Sequence, residues 1–464
     1  MFLIDNMSAK IFPRIVIAGT SSGAGKTTIA LAIMAALTRR GLCVQGFKVG
    51  PDFIDPGYYG MVTGHIGRNL DTWMIGKEKT IACLLNAAKT ADISVIEGVM
   101  GFYDGKDGLV EGSTADTASA IDSPVLVTID CSKMGSSAGA IALGFLKYDD
   151  KADIRGFLLN KIGSDHHEAM AKRAVENATG LPVIGCIKRS AEVTIPERHL
   201  GLITQSETGL ARSYVDTLSG LAEKYIDLDA IVRISKSAPI PRYNSNQVFR
   251  DIVNASKVRV GVALDRAFSF YYHDNFDLLE AFGAELVFFS PIKDRYLPKG
   301  LDGLYIGGGY PEVYARELAA NRPLAAEVKQ AVEDGIPVYA ECGGLMYLSR
   351  RIEDFDGYAH DMSGALPIAC KMRRRPVLGY REVRVSADSI VTKKGDTLRG
   401  HEFHYSTITD IGGGLARAYR LPNASDEGFI YNNTLASYIH LHFAGRPEFA
   451  ERFVSLCREK SRGD

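Results

Sequence analysis

Residues 14–28 read RIVIAGTSSGAGKTT, and the architecture of the N-terminal half follows from them. The apolar run Arg14 to Gly19 has strand composition; it enters a glycine-rich turn and then KTTIALAIMAAL, which has helical composition. A strand feeding a helix through such a turn is a phosphate-binding loop, or P-loop. Gly23 and Gly25 let backbone N–H groups curl around phosphate oxygens at the helix N-terminus. Lys26 neutralises phosphate charge in this pattern, Thr27 reaches Mg²⁺, and Thr28 completes the nucleotide cradle. The loop is a variant: the strict pattern G-x-x-x-x-G-K-[ST] puts glycine where this chain has Thr20, and Gly19 falls one residue earlier.

Outward from the loop, one rhythm repeats. VQGFKVG (44–50), ISVIEGVM (93–100), PVLVTID (124–130), IRGFLLNK (154–161) and LPVIGCI (181–187) are apolar strand candidates separated by helical stretches. Continuous apolar strands alternating with helices predict a parallel sheet covered on both faces, with ligands at the C-terminal strand ends. Two of those ends are acidic. FKVGPDFIDPGYY (47–59) carries Lys48, Asp52 and Asp55, and VIEGVMGFYDG (95–105) carries Glu97 and Asp104. Mg²⁺ favours one or two carboxylates together with phosphate oxygens, so Asp52 and Glu97 are its expected ligands beside Thr27. Lys48, Asp55 and Asp104 are assigned to substrate positioning and activation. Asn160, followed by Lys161 after a late strand, is expected to touch the nucleotide.

Around residues 236–257 the pattern lapses into KSAPIPRYNSNQ, which reads as a linker between a domain at 12–235 and another at 258–464. The second domain opens a new α/β series: VRVGVALD (258–265), AELVFFSP (284–291), LDGLYIGGG (301–309) and IPVYAECGG (336–344). Cys342 sits where a strand turns sharply into the helical LMYLSR. That position exposes a thiol at the sheet edge over a helix N-terminus and makes it a nucleophile candidate. The N–H of Gly343, with a second from the Gly307–Gly309 turn, can form an oxyanion hole; Gly309 is the expected donor. The chain end reads as shorter β segments, among them the alternating SYIHLHF (437–443), which offers His440 and His442 as bases. Two residues apart on a strand, they share a face, and geometry alone leaves both open. In glutaminases with a Cys-His-Glu triad the acid stands two residues after the histidine. That pattern selects His440, with His442 in the acid's place. His401 and His404, in HEFHYS, read as structural or surface groups.

Length and bulk composition predict a soluble globular protein of two domains or three. The chain has 464 residues, 46% hydrophobic and 23% charged, with a net charge of −1. That balance gives no reason to expect nucleic acid or a membrane surface as partner, and no apolar run has the length of a span. The N-terminus lacks the pattern of a secretory signal, and the seven cysteines are scattered without a CxxC pair, which fits a cytoplasmic protein.

Taken together, GTSSGAGKTT, KVGPDFIDP, RNLDTWM (68–74), EGVMGFYDG, GGGYPE, ECGG, HEFHYS and SYIHLHF resemble, in this order, the cobyrinic acid a,c-diamide synthase family. The resemblance spans residues 12 to 450. The family includes Ni-sirohydrochlorin a,c-diamide synthases of the coenzyme F430 pathway. It implies a dethiobiotin-synthetase-like P-loop domain followed by a class I glutamine amidotransferase domain. It further implies ATP, Mg²⁺ and glutamine as reactants, a tetrapyrrole acceptor amidated on its a and c acetates, and a homodimer. Carried over, Cys342 is the glutaminase nucleophile and His440 its base. Lys26 and Thr27 fall in the nucleotide loop, and Asp52, Asp55, Glu97 and Asp104 in the Mg²⁺ and carboxylate-activation site. Arg68, Arg198, His199 and Arg373 to Arg375 are candidate contacts for acceptor carboxylates. Competing readings fare worse. Cobyric acid synthases lack KVGPDFIDP. ParA/MinD-like switches carry an early loop lysine where this chain has Ser21 and Ser22, and they have no glutaminase half. A silent scaffold is at odds with an intact Cys342 and His440.

Overall fold

The computed structural model describes residues 11–189, 208–241, 248–250 and 257–463, so Arg198 and His199 lie outside the described residues. The chain divides into two compact units, Met1–Ser245 and Asn246–Asp464.

The first unit is built on seven parallel strands: β1 (Arg14–Gly19), β2 (Val44–Val49), β3 (Arg68–Leu70), β4 (Ile93–Glu97), β5 (Val125–Asp130), β6 (Ile154–Ile162) and β7 (Val183–Lys188). Their order is β3-β2-β4-β1-β5-β6-β7, with β1 at the centre. Helix α1 (Lys26–Arg39) follows the glycine turn, and its residues Ile29 to Leu37 are all buried. Ile15 and Ile17 of β1 join them in one core with Leu218, Leu221 and Ala222 of the helix Thr208–Tyr225. Helix α2 (Asp55–Thr63) begins just after β2, and Tyr59 from it packs under the sheet. Arg14 is fully buried at the start of β1, where its guanidinium donates to the carbonyls of Phe12, Ile121, Asp122 and Pro239.

The second unit holds a mixed sheet of eleven strands. Its parallel part comprises β8 (Val258–Ala263), β9 (Ala284–Phe289), β10 (Gly303–Ile306), β11 (Val338–Glu341) and a late strand Thr434–Ser437 beside β11. The rest consists of β12 (Arg351–Glu353), β13 (Ala359–Asp361), the long hairpin β14 (Ile368–Val385) and β15 (Thr397–Ile411), β16 (Ala416–Arg420) and β17 (Asp426–Tyr431). The strand Thr434–Ser437 is β18, and the order runs β13-β12-β14-β16-β17-β18-β11-β10-β8-β9, with β15 paired to β14. Two expectations are corrected here. The expected short segments near the end include a hairpin with strands of 18 and 15 residues. The run 437–443 is not one strand either: β18 stops at Ser437, and His440 makes only an isolated antiparallel bridge to His401.

Candidate functional site

In the first unit the loop takes the backbone that its glycines permit. Gly23 and Gly25 have φ of 77° and 99°, a left-handed region that side chains disfavour. A Cβ on Gly25 would fall 2.0 Å from the Asn160 amide nitrogen, so Asn160 lies hard against the loop. Its Nδ2 donates to the carbonyl of Ala24 at 2.9 Å. Lys161, itself at φ 58°, extends Nζ to the Gly23 carbonyl at 3.2 Å and to Asp130 Oδ2 at 2.6 Å. The pair at the end of β6 thus braces the loop backbone. Lys26 donates to the carbonyls of Ser21 and Met100, and burial followed by the nearby Lys48 lowers its pKa.

Beside the loop, the acidic strand ends converge. Thr27 donates to Glu97 Oε1 at 2.5 Å, Lys48 donates to the same oxygen at 2.7 Å, and Tyr59 donates to Oε2 at 2.7 Å. Lys48 also meets Asp55 Oδ2 at 2.6 Å. Asp52 Oδ1 accepts from the N–H groups of Ile54 and Asp55 in the turn that leads into α2. Burial and the Asp55 charge raise the Asp52 carboxyl; burial also raises Glu97, against the pull of Lys48. Lys48 runs the other way: burial would lower it, but Glu97, Asp55 and Asp52 together hold it above its ordinary value. Asp104 is more peripheral; its Oδ2 accepts from Gly101 N–H at 2.9 Å and supports the turn whose Met100 carbonyl receives Lys26. The structure therefore gathers Lys26, Thr27, Lys48, Asp52, Asp55 and Glu97 at one end of the sheet. This is a partly desolvated set of hard oxygen donors with more carboxylates than adjoining lysines, the donor set that suits a divalent cation. Thr28 follows in the first turn of α1. Arg68, at the start of β3, is half-buried.

In the second unit Cys342 occupies the turn between β11 and the helix Gly343–Leu348, with φ 49° and ψ −100°. A non-glycine residue held there is strained by about 1–3 kcal/mol, a cost that recurs at nucleophile turns. Close packing enforces the turn: a Cβ on Gly344 would sit 2.0 Å from the Ile306 carbonyl oxygen, and one on Gly343 would sit 3.0 Å from Gly309 N. The thiol is not exposed at the sheet edge as the sequence suggests: it is 4% exposed, and its sulfur lies 3.6 Å from the Phe403 carbonyl oxygen. Burial first, then Glu312, push its pKa up, while the Gly343 N–H pulls it down.

Gly308 separates this turn from the histidines; a Cβ there would lie 2.5 Å from His440 Cε1. His440 stacks on His401 with ring centroids 4.9 Å apart. Burial and the neighbouring His401 and His404 hold it well below the ordinary histidine pKa, which favours the neutral imidazole. His442 points elsewhere, with its ring 4.6 Å from that of Tyr272 and its Nε2 3.7 Å from Asp274 Oδ2. The two histidines that the alternation put on one face therefore have different surroundings, because the segment leaves the strand after Ser437. His401 and His404, read from sequence as structural or surface groups, are buried around His440. Arg373 to Arg375 are exposed on a bulged part of β14, where the register shifts between Met372 and Val377.

Residues 15–203 match the model of the CobQ/CobB/MinD/ParA nucleotide binding domain, and residues 259–448 that of the CobB/CobQ-like glutamine amidotransferase domain. Curated relatives align along nearly the whole chain. A cobyrinate a,c-diamide synthase of Dehalococcoides mccartyi is 43% identical over 96% of this chain and 98% of its own. The chain belongs to the cobyrinate a,c-diamide synthase family. Another relative of that name, from Picrophilus torridus, is 44% identical over 96% of this chain and 98% of its own. A hydrogenobyrinate a,c-diamide synthase of Streptomyces coelicolor is 40% identical over 97% and 99% respectively. Membership makes the chain a glutamine amidotransferase joined to a nucleotide-binding domain, an amide-forming ligase. No helix among the described residues is long and apolar enough to cross a membrane.

Several residues of this family member escaped the sequence reading. Tyr59 contacts Glu97, and Asp130 anchors Lys161. Glu341, one residue before Cys342, accepts from Leu441 N–H at 2.8 Å. A glutamate inside an otherwise apolar strand was the available signal for the last of these.

Proposed function

We propose that this protein uses ATP and glutamine to amidate the a and c acetate side chains of a modified tetrapyrrole, cobyrinate or Ni-sirohydrochlorin. One observation carries the reading. A single chain, aligned end to end with a,c-diamide synthases, combines a P-loop flanked by buried carboxylates with a strained cysteine turn joined through Gly308 to a buried histidine whose pKa is pushed down. In this reading residues 12–235 are the synthetase, 236–257 the linker and 258–464 the glutaminase. The enzyme works in the cytoplasm as a homodimer.

A carboxylate is a poor electrophile, which is why both halves are needed. The γ-phosphoryl of ATP passes to the substrate carboxylate, giving an acyl phosphate and ADP. Gly23, Gly25, Lys26 and Thr28 cradle the phosphates, and Asn160 fixes the loop. Thr27, Glu97 and Asp52 would hold Mg²⁺, which supplies charge neutralisation to the transferring phosphoryl group. Lys48, Asp55 and Asp104 position the acceptor carboxylate. In the glutaminase, His440 takes the Cys342 proton as the thiolate attacks the glutamine amide, and the N–H groups of Gly343 and Gly309 receive the oxyanion. Ammonia leaves, and water releases glutamate from the thioester. The ammonia then displaces phosphate from the acyl phosphate, leaving the amide. Arg68 and Arg373 to Arg375 are the cations we assign to the acceptor's remaining carboxylates.

The test is anaerobic incubation with MgATP and glutamine, offering cobyrinic acid and Ni-sirohydrochlorin in parallel and reading products by mass spectrometry. Two successive OH-to-NH₂ replacements are expected, on one acceptor or on both. ATP hydrolysis with neither acceptor altered would sink the tetrapyrrole assignment. Cys342→Ala should abolish the glutamine-dependent reaction and spare the ammonia-dependent one.

A further inference from the structure

The residue two places after His440 is His442, where the triad pattern carries an acid, yet two carboxylates reach the same segment by another route. Residues 438–441 continue past β18 without a strand ladder, and each N–H has a separate acceptor. Tyr438 N–H donates to Glu427 Oε1 at 2.7 Å, Ile439 N–H to Ser437 Oγ at 2.9 Å, and His440 N–H to the His401 carbonyl at 2.8 Å. Leu441 N–H donates to Glu341 Oε1 at 2.8 Å. Both carboxylates are themselves held. Glu341 accepts from the hydroxyls of Tyr339 at 2.6 Å and Tyr305 at 2.9 Å, and Glu427 accepts from Ser437 Oγ at 2.6 Å. Glu341 also ends β11, so one residue ties the Cys342 turn to the backbone that follows His440.

We propose that Glu341 and Glu427 are positioning residues of the glutaminase. They hold the chain on both sides of His440, through Leu441 and Tyr438, and so fix the imidazole against the Cys342 turn. The inference rests on the reading of Cys342 and His440 given above. Hydrogen bonds from backbone N–H to a carboxylate are about twice as strong as neutral ones, and they flank the single bridge to His401 that otherwise holds this segment.

The chemistry gives the role a distinct signature. Burial raises both carboxyls to about 7. The groups facing Glu341 are Tyr339 on its own strand, Tyr305, Tyr271, Tyr419 and the Cys342 thiol, none of them a cation. Glu427 faces Ser437, Tyr419 and Glu402, and Glu402 is paired with Arg381. Once protonated, Glu341 keeps an oxygen for the Leu441 N–H but loses the negative charge that strengthens that bond, so its hold on the segment weakens. Glutaminase activity should therefore fall as pH drops through 7.

The experiment measures glutamate release from glutamine by the full chain carrying Glu341→Gln, Glu427→Gln or both, beside Cys342→Ala. Glutamine keeps an oxygen for the N–H and is chosen to preserve the fold. Each single variant should lower kcat about tenfold with little change in KM, and the double variant should lose the acid limb between about pH 6 and 8. Ammonia-dependent turnover and melting temperature should be unchanged. Unaltered kcat and pH profile, or a rate loss that merely follows a fall in melting temperature, would overturn the positioning role. Glutamate release intact in Cys342→Ala would instead overturn the glutaminase reading, and the positioning role with it.

Discussion

Replacing Lys48 by methionine should destabilise the N-terminal unit strongly at mildly alkaline pH and much less in mild acid. Methionine keeps most of the side-chain volume, so the change removes charge rather than packing. Lys48 Nζ lies 2.6 Å from Asp55 and 2.7 Å from Glu97, with the lysine side chain 5% exposed and that of Glu97 fully buried. Removing one partner of a buried ion pair costs about 3–5 kcal/mol, because the remaining charge is left uncompensated. In a unit of this size each kcal/mol shifts the melting temperature by about 2–4 °C, which predicts a fall of roughly 6–20 °C. The sign of the pH effect follows from the carboxylates. Glu97 and Asp52 are already raised, by burial first and then by their acidic neighbours. A carboxyl whose folded pKa exceeds its unfolded value costs stability as pH rises through the folded value, and the cost vanishes below the unfolded one. Losing Lys48 raises these groups further, so the deficit is full near pH 8 and shrinks toward about pH 5 as they take up protons. Thermal unfolding of the intact variant and the parent at both pH values is the assay. A deficit of equal size at the two pH values would refute the account, as would no deficit near pH 8.

Two further substitutions probe one unit each. Gly308→Ala places a methyl 2.5 Å from His440 Cε1 and 3.2 Å from Phe270 Cβ. It should cut glutamate release at least about tenfold while ammonia-dependent turnover persists, and an unimpaired release rate would count against His440 as the base. Asn160→Ala removes the 2.9 Å bond to the Ala24 carbonyl. At about 0.5–1.5 kcal/mol for such a bond, calorimetry should find ATP bound about two- to tenfold more weakly, with glutamate release unaltered. Equal ATP affinity would mean that the brace does not organise the loop.

What was legible in the sequence was local, and what was not depended on distant partners. The P-loop and the cysteine turn declare themselves because strand, glycine and helix are contiguous; Gly25 is required by its φ of 99°, and Gly344 by the Ile306 carbonyl, 2.0 Å from where a Cβ would sit. The parallel strands were readable for the same reason, as unbroken apolar runs. The hairpin β14–β15 hid behind its composition, since Arg373 to Arg375 interrupt the alternation where a bulge carries them out of register. The alternation in SYIHLHF misled in the opposite sense. It predicts a strand through His442, but Glu427 and Ser437 take the N–H groups of Tyr438 and Ile439, so side chains replace the ladder and the segment departs from the sheet. Glu341 is the sharpest case. It stands next to Cys342 in a segment already singled out, yet its contact to Leu441 crosses 100 residues of chain. A buried glutamate costs free energy unless its oxygens are satisfied, so a glutamate retained at the end of an apolar strand demands donors from elsewhere. Here the donors are two tyrosines and the residue that follows His440. The same carboxylate that makes β11 harder to bury thereby couples the turn bearing the thiol to the segment bearing the imidazole.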